Sequence, residues 1–127
     1  VFYIVRTVNV LGALPSVYVY LGKVNKMVSV KVATKKDLAF ANLKNVEVNG
    51  KKICLVNLNN TYYAIGNRCT HMGCMLSDGE LTGENIRCSC HGSVFNAQTG
   101  NVIKGPAKNS EPTYPVNVEG DQIMINV

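Results

Sequence analysis

Four of the five cysteines and both histidines of this chain fall between positions 69 and 91. They occupy two short boxes, Cys69-Thr70-His71-Met72-Gly73-Cys74 and Cys88-Ser89-Cys90-His91-Gly92-Ser93. A segment that gathers its thiols and imidazoles in this way is organised around a ligand, not around a secreted disulfide framework. The C-x-H of Cys69 and His71 and the C-x-x-H of Cys88 and His91 are separated by 16 residues. Each supplies one thiol and one imidazole, a set that suits a tetrahedral zinc or a mixed-ligand [2Fe–2S] cluster. Cys74 and Cys90 remain, in equivalent flanking places, one per box, either as free thiols or as a disulfide that clasps the boxes. A zinc site would use four of the six residues and leave two thiols idle.

The rest of the chain must build a scaffold for those boxes. Its 127 residues suffice for a single modest core. With 46% hydrophobic and 17% charged residues, the composition excludes an intrinsically disordered chain. The net charge of +5 would suggest nucleic acid only if it were spread over one face. Residues 1–36 hold six bases and no acid, whereas residues 37–127 hold seven bases against eight acids. The body is nearly neutral, so nucleic acid is not an expected partner.

Residues 1–21, 15 of them apolar, approach the length of a membrane anchor. Arg6, Asn9, Gly12 and Pro15 interrupt the run, and Pro15 also divides the apolar stretch a signal peptide would need. The reading adopted is an N-terminal extension over residues 1–26, native or not, followed by one domain over residues 27–127. A partial anchor is the competing reading, and it would make the protein membrane-peripheral.

From Met27 onward the pattern is that of β-structure. Val28, Val30 and Val32 alternate with Ser29 and Lys31, the period of a half-buried strand. Asn49-Gly50 between Val46-Glu47-Val48 and Ile53-Cys54-Leu55-Val56 predicts a hairpin, because both turn residues tolerate positive φ. Tyr62–Ile65 after the Asn59-Asn60 turn predicts another strand. Val116, Val118, Ile123, Ile125 and Val127 alternate around Glu119-Gly120-Asp121. Lys35–Leu43 predicts at most one short helical turn. Cys54 reads as a small core residue, Tyr62-Tyr63 as strand packing, and Lys35-Lys36 and Lys51-Lys52 as solvated turn residues. The expectation is an all-β domain, an antiparallel sandwich or barrel. It carries an insertion at about residues 66–107 that is rich in Gly, Cys and His and poor in strand signals.

The two boxes resemble those of the Rieske iron–sulfur proteins, C-x-H-x-G-C and C-x-x-H-G, including Gly73 and Gly92. Gly105-Pro106-Ala107 resembles that family's proline loop, and the likeness extends over about residues 28–127. The resemblance implies a Rieske-like β-sandwich or barrel base domain with an inserted cluster-binding subdomain. It implies a [2Fe–2S] cluster with Cys69 and Cys88 on the inner iron and His71 and His91 on the outer one. It further implies a Cys74–Cys90 disulfide. Ser93 stands where many high-potential members carry a serine that bonds a bridging sulfide. Phe95 stands where they carry a tyrosine that bonds a cysteine sulfur, so one of two such bonds is missing. The resemblance implies that Pro106 shields the cluster, and Met72, beside a ligand, is read as facing a partner.

Such a cluster is electrically neutral when oxidised, which makes an added electron cheaper than on a four-cysteine anion. The family's potentials accordingly run from about −150 to +300 mV, against about −400 mV for plant-type ferredoxins. A metal-bound imidazole loses its remaining proton more readily in the oxidised state, so electron uptake is proton-coupled at high pH. The function expected is that of a small soluble one-electron carrier, not an enzyme. It would be a cytoplasmic monomer exchanging electrons with redox proteins or quinol, most like the disulfide-bearing soluble Rieske ferredoxins of the sulredoxin type. The alternatives are the Rieske subunit of a cytochrome bc-type quinol-oxidising complex and the ferredoxin component of a Rieske oxygenase. The disulfide cysteines count against the latter. A different class would be a zinc-stabilised interaction module.

Overall fold

The computed structural model describes residues 28–127. The extension over residues 1–26, its anchor reading and the proposed start at Met27 lie outside the described residues. Along the chain run β1 (Ser29–Thr34), a single 3-10 turn at Lys35–Leu38, β2 (Leu43–Val48), β3 (Lys51–Leu58) and β4 (Thr61–Gly66). A second 3-10 turn at Leu76–Asp78 precedes β5 (Glu80–Thr82), β6 (Asn85–Arg87), β7 (Val94–Asn96) and β8 (Val102–Lys104). The chain closes with β9 (Thr113–Tyr114), β10 (Val116–Glu119) and β11 (Gln122–Asn126). Among the described residues no helix is long and apolar enough to cross a membrane.

Ile53, Cys54, Leu55 and Val56 are all fully buried, although successive strand residues point to opposite faces. β3 is therefore covered on both sides, which is why its sequence reads as an unbroken apolar run. Ile53 and Leu55 join Tyr62 and Ala64 of β4 in one core, closed by Ala33, Leu38, Ile123 and Ile125. Cys54 and Val56 join Ile65 in a second core with Leu76, Ile86, Phe95 and both Cys69 and Cys88. Full burial of each such aliphatic or aromatic side chain stabilises by about 1.5–3 kcal/mol.

The sheet β2-β3-β4-β9 thus sits between two others, β1-β11-β10 on its first core and β5-β6-β7-β8 on its second. Every ladder is antiparallel, in agreement with the expected all-β class. The β2–β3 hairpin turns at Asn49 and Gly50 with φ of 51° and 79°, and the β3–β4 hairpin at Asn59 and Asn60 with φ of 51° and 68°. Both turns are those the dipeptides predict. Cys54 is a buried core residue, Tyr62 and Tyr63 pack into the two cores, and the helical turn after β1 is present.

Two expectations need correction. The stretch between β4 and β9 is not poor in strands: it contains the whole β5–β8 sheet. Each of its strands is three residues long, too short for alternation to register in the sequence. Lys51 and Lys52 are not turn residues but open β3. Lys52 Nζ pairs with Glu47 at 3.2 Å, and Lys51 Nζ lies 5.9 Å from the centre of the Tyr114 ring.

Candidate metal centre

The two boxes form loops closed by the same pair of backbone hydrogen bonds. The Cys69 N–H donates to the Cys74 carbonyl at 2.7 Å, and the Gly73 N–H donates back to the Cys69 carbonyl at 2.8 Å. In the second loop the Cys88 N–H donates to the Ser93 carbonyl at 2.7 Å, and the Gly92 N–H to the Cys88 carbonyl at 3.1 Å. Gly73 and Gly92 hold φ of 82° and 79°, which a residue bearing Cβ adopts at a cost. By backbone bonding, then, Cys69 matches Cys88 and Gly73 matches Gly92. Cys74 matches Ser93, and Cys90 matches His71. The two flanking cysteines are therefore not at the equivalent places expected of them, yet they are joined. Cys74 and Cys90 form a disulfide, with Cα atoms 6.5 Å apart.

Cys69 and Cys88 are free and buried, within reach of one another's sulfur. Burial pushes the Cys69 thiol up, and the N–H groups of His71 and Met72, aimed at its sulfur, pull it down. The His71 and His91 rings meet edge to face with centroids 4.9 Å apart. His71 Nδ1 is buried and has no hydrogen-bond partner, while His91 is exposed. An unpartnered buried ring nitrogen and two free buried thiols, all in these two loops, are donors that a metal group would satisfy. The sulfurs of Cys74, Cys88 and Cys90 also lie within 4.8 Å of one another. Two of them are bridged and cannot act as thiolates, so that trio offers one ligand only.

The surroundings fix these loops. Ser93 is fully buried, and its Oγ accepts the Ala107 N–H at 3.0 Å, tying the second loop to the segment after Pro106. Phe95 is fully buried between Ile86 and Val102 on neighbouring strands. Met72 is 66% exposed, and Pro106 is exposed as well.

Two buried polar residues escaped the sequence reading. Asn67 Nδ2 donates to Asn45 Oδ1 and Ser77 Oγ at 2.8 and 2.9 Å, and its Oδ1 accepts the Ser77 N–H at 2.7 Å. It anchors the first loop to β2 and to the second 3-10 turn. Glu111 is 5% exposed, and its carboxyl packs against Gly66 and the Thr70 N–H. Burial pushes that carboxyl up to about 7. An asparagine in a turn and one acid in a polar stretch carry no signal that marks them in a single sequence.

The chain matches the Rieske [2Fe-2S] domain family over residues 28–115. It belongs to that family. The ferredoxin component of a naphthalene 1,2-dioxygenase system from Pseudomonas aeruginosa is 38% identical over 82 residues, 65% of this chain and 79% of that protein. Among solved structures, the ferredoxin of carbazole 1,9a-dioxygenase from Nocardioides aromaticivorans IC177 superposes with a TM-score of 0.72 at 29% identity, covering 76% of this chain and 95% of that one. A reduced oxygenase–oxidised ferredoxin complex of carbazole 1,9a-dioxygenase contains a chain with the same TM-score at 26% identity, covering 76% and 91%. The cofactor of this Rieske chain is a [2Fe–2S] cluster, and the buried thiols and unpartnered imidazole nitrogen fit it. Its function is one-electron transfer, as a carrier and not as a catalyst. The relatives belong to the oxygenase-ferredoxin setting that the disulfide cysteines count against, and the disulfide is nonetheless present.

Proposed function

We propose that Cys69 and Cys88 bind one iron of the cluster, that His71 and His91 bind the other, and that the chain is the ferredoxin component of a ring-hydroxylating oxygenase. The observation that carries the ligand assignment is the meeting of the two loops, with both thiols in reach of each other and both imidazoles edge to face. In this reading residues 27–127 are the Rieske domain, with residues 66–107 as its cluster-binding part. The protein works as a soluble cytoplasmic monomer that takes single electrons from a reductase and hands them to the oxygenase.

When bound, the cluster supplies a one-electron couple. The residues do the rest. His91, at the surface, brings the redox site to the edge of the protein, where a partner needs only to touch. Ser93, held by Ala107, keeps a hydroxyl proton free to donate toward the loops. With Ser93 present and a phenylalanine at 95, the potential lies above low-potential ferredoxins and below respiratory Rieske proteins.

Iron, sulfide and visible absorption of the purified protein test the assignment. Two iron and two acid-labile sulfide per chain with a reddish colour are expected, lost in Cys69→Ser and Cys88→Ser. A colourless protein holding one zinc overturns it. The partner assignment is tested by mixing the reduced protein with a terminal Rieske oxygenase. Single-turnover oxidation of the protein supports it, and oxidation only by a cytochrome c-type acceptor counts against it.

A further inference from the structure

Each metal-binding loop is entered through an arginine, Arg68 before Cys69 and Arg87 before Cys88. Both side chains are folded over their own loop. A Cβ on Gly73 would lie 3.7 Å from the Arg68 guanidinium, and one on Gly92 would lie 3.3 Å from that of Arg87. Two lysines lie on segments that border the second loop. Lys104 pairs with Val94, the residue after Ser93, and Lys108 follows Ala107, whose N–H is bonded to Ser93. All four cations are exposed. None takes part in an ion pair, since Lys52–Glu47 is the only salt bridge among the described residues.

The acids of this end are fewer or set away from the loops. Glu111 is buried beneath the first loop, and Glu84 is held at the far turn of β5–β6 by Asn96. Asp78 and Glu80 are exposed, and Glu80 is the cross-strand neighbour of Arg87 without an ion pair between them. His91 and Met72 in the loops, and Pro106 on the segment bonded to Ser93, are exposed, and none of them is acidic.

We infer that the loop end of this protein is a cationic docking face whose partner is a redox protein with an acidic rim around its own electron-accepting centre. Arg68, Arg87, Lys104 and Lys108 steer the encounter, and Met72 and Pro106 form the uncharged contact at its middle. The inference rests on the reading of the chain as a one-electron carrier. It adds the sign of the partner's surface, and with it the expectation that turnover with that partner weakens as salt is raised.

Two inert oxidants of opposite charge test it on the intact holoprotein without any knowledge of the partner. In each reaction one electron leaves the reduced protein. It converts ferricyanide to ferrocyanide, or a cobalt(III) tris-bipyridine cation to its cobalt(II) form, with no bond or proton exchanged at neutral pH. The ferricyanide rate is expected to fall about threefold or more between roughly 10 and 200 mM ionic strength, while the cobalt rate rises. In Arg68→Gln/Lys104→Gln both slopes flatten. In Lys35→Gln/Lys36→Gln, which removes the same charge from the turn after β1, they persist. Binding of poly-L-glutamate at low salt, followed by fluorescence anisotropy, gives a second readout and is lost in the first variant only. Equal slopes in the two variants, or a ferricyanide rate that rises with salt, overturn the cationic face. A protein without iron and sulfide overturns instead the reading on which it rests, so the two failures are distinct.

Discussion

The Ser93 hydroxyl oxygen accepts the Ala107 N–H at 3.0 Å, so one buried side chain joins the second Cys-His loop to the segment that follows Pro106. Because the oxygen is engaged as an acceptor, the hydroxyl proton is left to donate elsewhere. A donor aimed at the cluster stabilises the electron-rich reduced form. Ser93→Ala removes it and also strands the Ala107 N–H. The reduction potential is expected to fall on the order of 50 mV, as the loss of about 1 kcal/mol of differential hydrogen bonding implies. Spectroelectrochemical titration measures this, and an unchanged potential in a folded, loaded variant would show that the hydroxyl points elsewhere.

The Cys74–Cys90 disulfide links the two loops across a sequence separation of 16 residues. A loop of that length stabilises the folded state by about 3 kcal/mol in the chain-entropy account. Cys74→Ser/Cys90→Ser is therefore expected to bleach its visible absorption at lower denaturant than the parent, with secondary structure intact beforehand. Adding a strong thiol reductant to the parent should reproduce the shift and leave the variant unaffected.

Much of this fold is legible in the sequence because a few residues force it. Asn49-Gly50 and Asn59-Asn60 fix two hairpins, and Ile53–Val56 betrays a strand buried on both faces. The boxes announce the metal centre for the same reason: thiols and imidazoles at that spacing serve little else. What stays hidden is structure without a pattern. β5 to β8 are three residues each, so no period can develop, and their order depends on Ile86 and Phe95 packing beneath the loops. The true correspondence of Cys74 with Ser93 emerges only from backbone bonds, which spacing alone does not reveal.

Asn67 is the least visible of the positioning residues, and its loss has a readable signature. Replacing it with Leu leaves the half-buried Ser77 N–H without its partner and ends the bond to Asn45 Oδ1, which is exposed and can turn to water. A destabilisation of about 1–2 kcal/mol is expected, mainly from the unsatisfied Ser77 N–H. Since the Asn67 side chain holds the Ser77 N–H at the end of the first loop, hydrogen exchange should quicken first at residues 69–78 and later in β3 and β4. Uniform loss of protection across the chain would argue that Asn67 serves the whole core equally.

Glu111 makes the stability of the protein depend on pH. Its carboxyl is buried, Oε2 has no partner among the described residues, and its charge also helps to push the Cys54 thiol, already raised by burial, up to about 12. Burial holds the Glu111 carboxyl near 7, against 4.5 when solvated. Between those values the folded protein keeps a proton that the unfolded chain has released. Stability conferred by this group is therefore complete below about pH 4.5 and is lost as pH rises through about 7. The full span corresponds to about 3 kcal/mol. Glu111→Gln removes the titration while keeping the size of the side chain. Unfolding of the holoprotein by denaturant from pH 5 to 8 should show the parent losing stability relative to this variant as pH increases. A parallel pair of curves would mean that Glu111 is solvated in the native state and titrates normally.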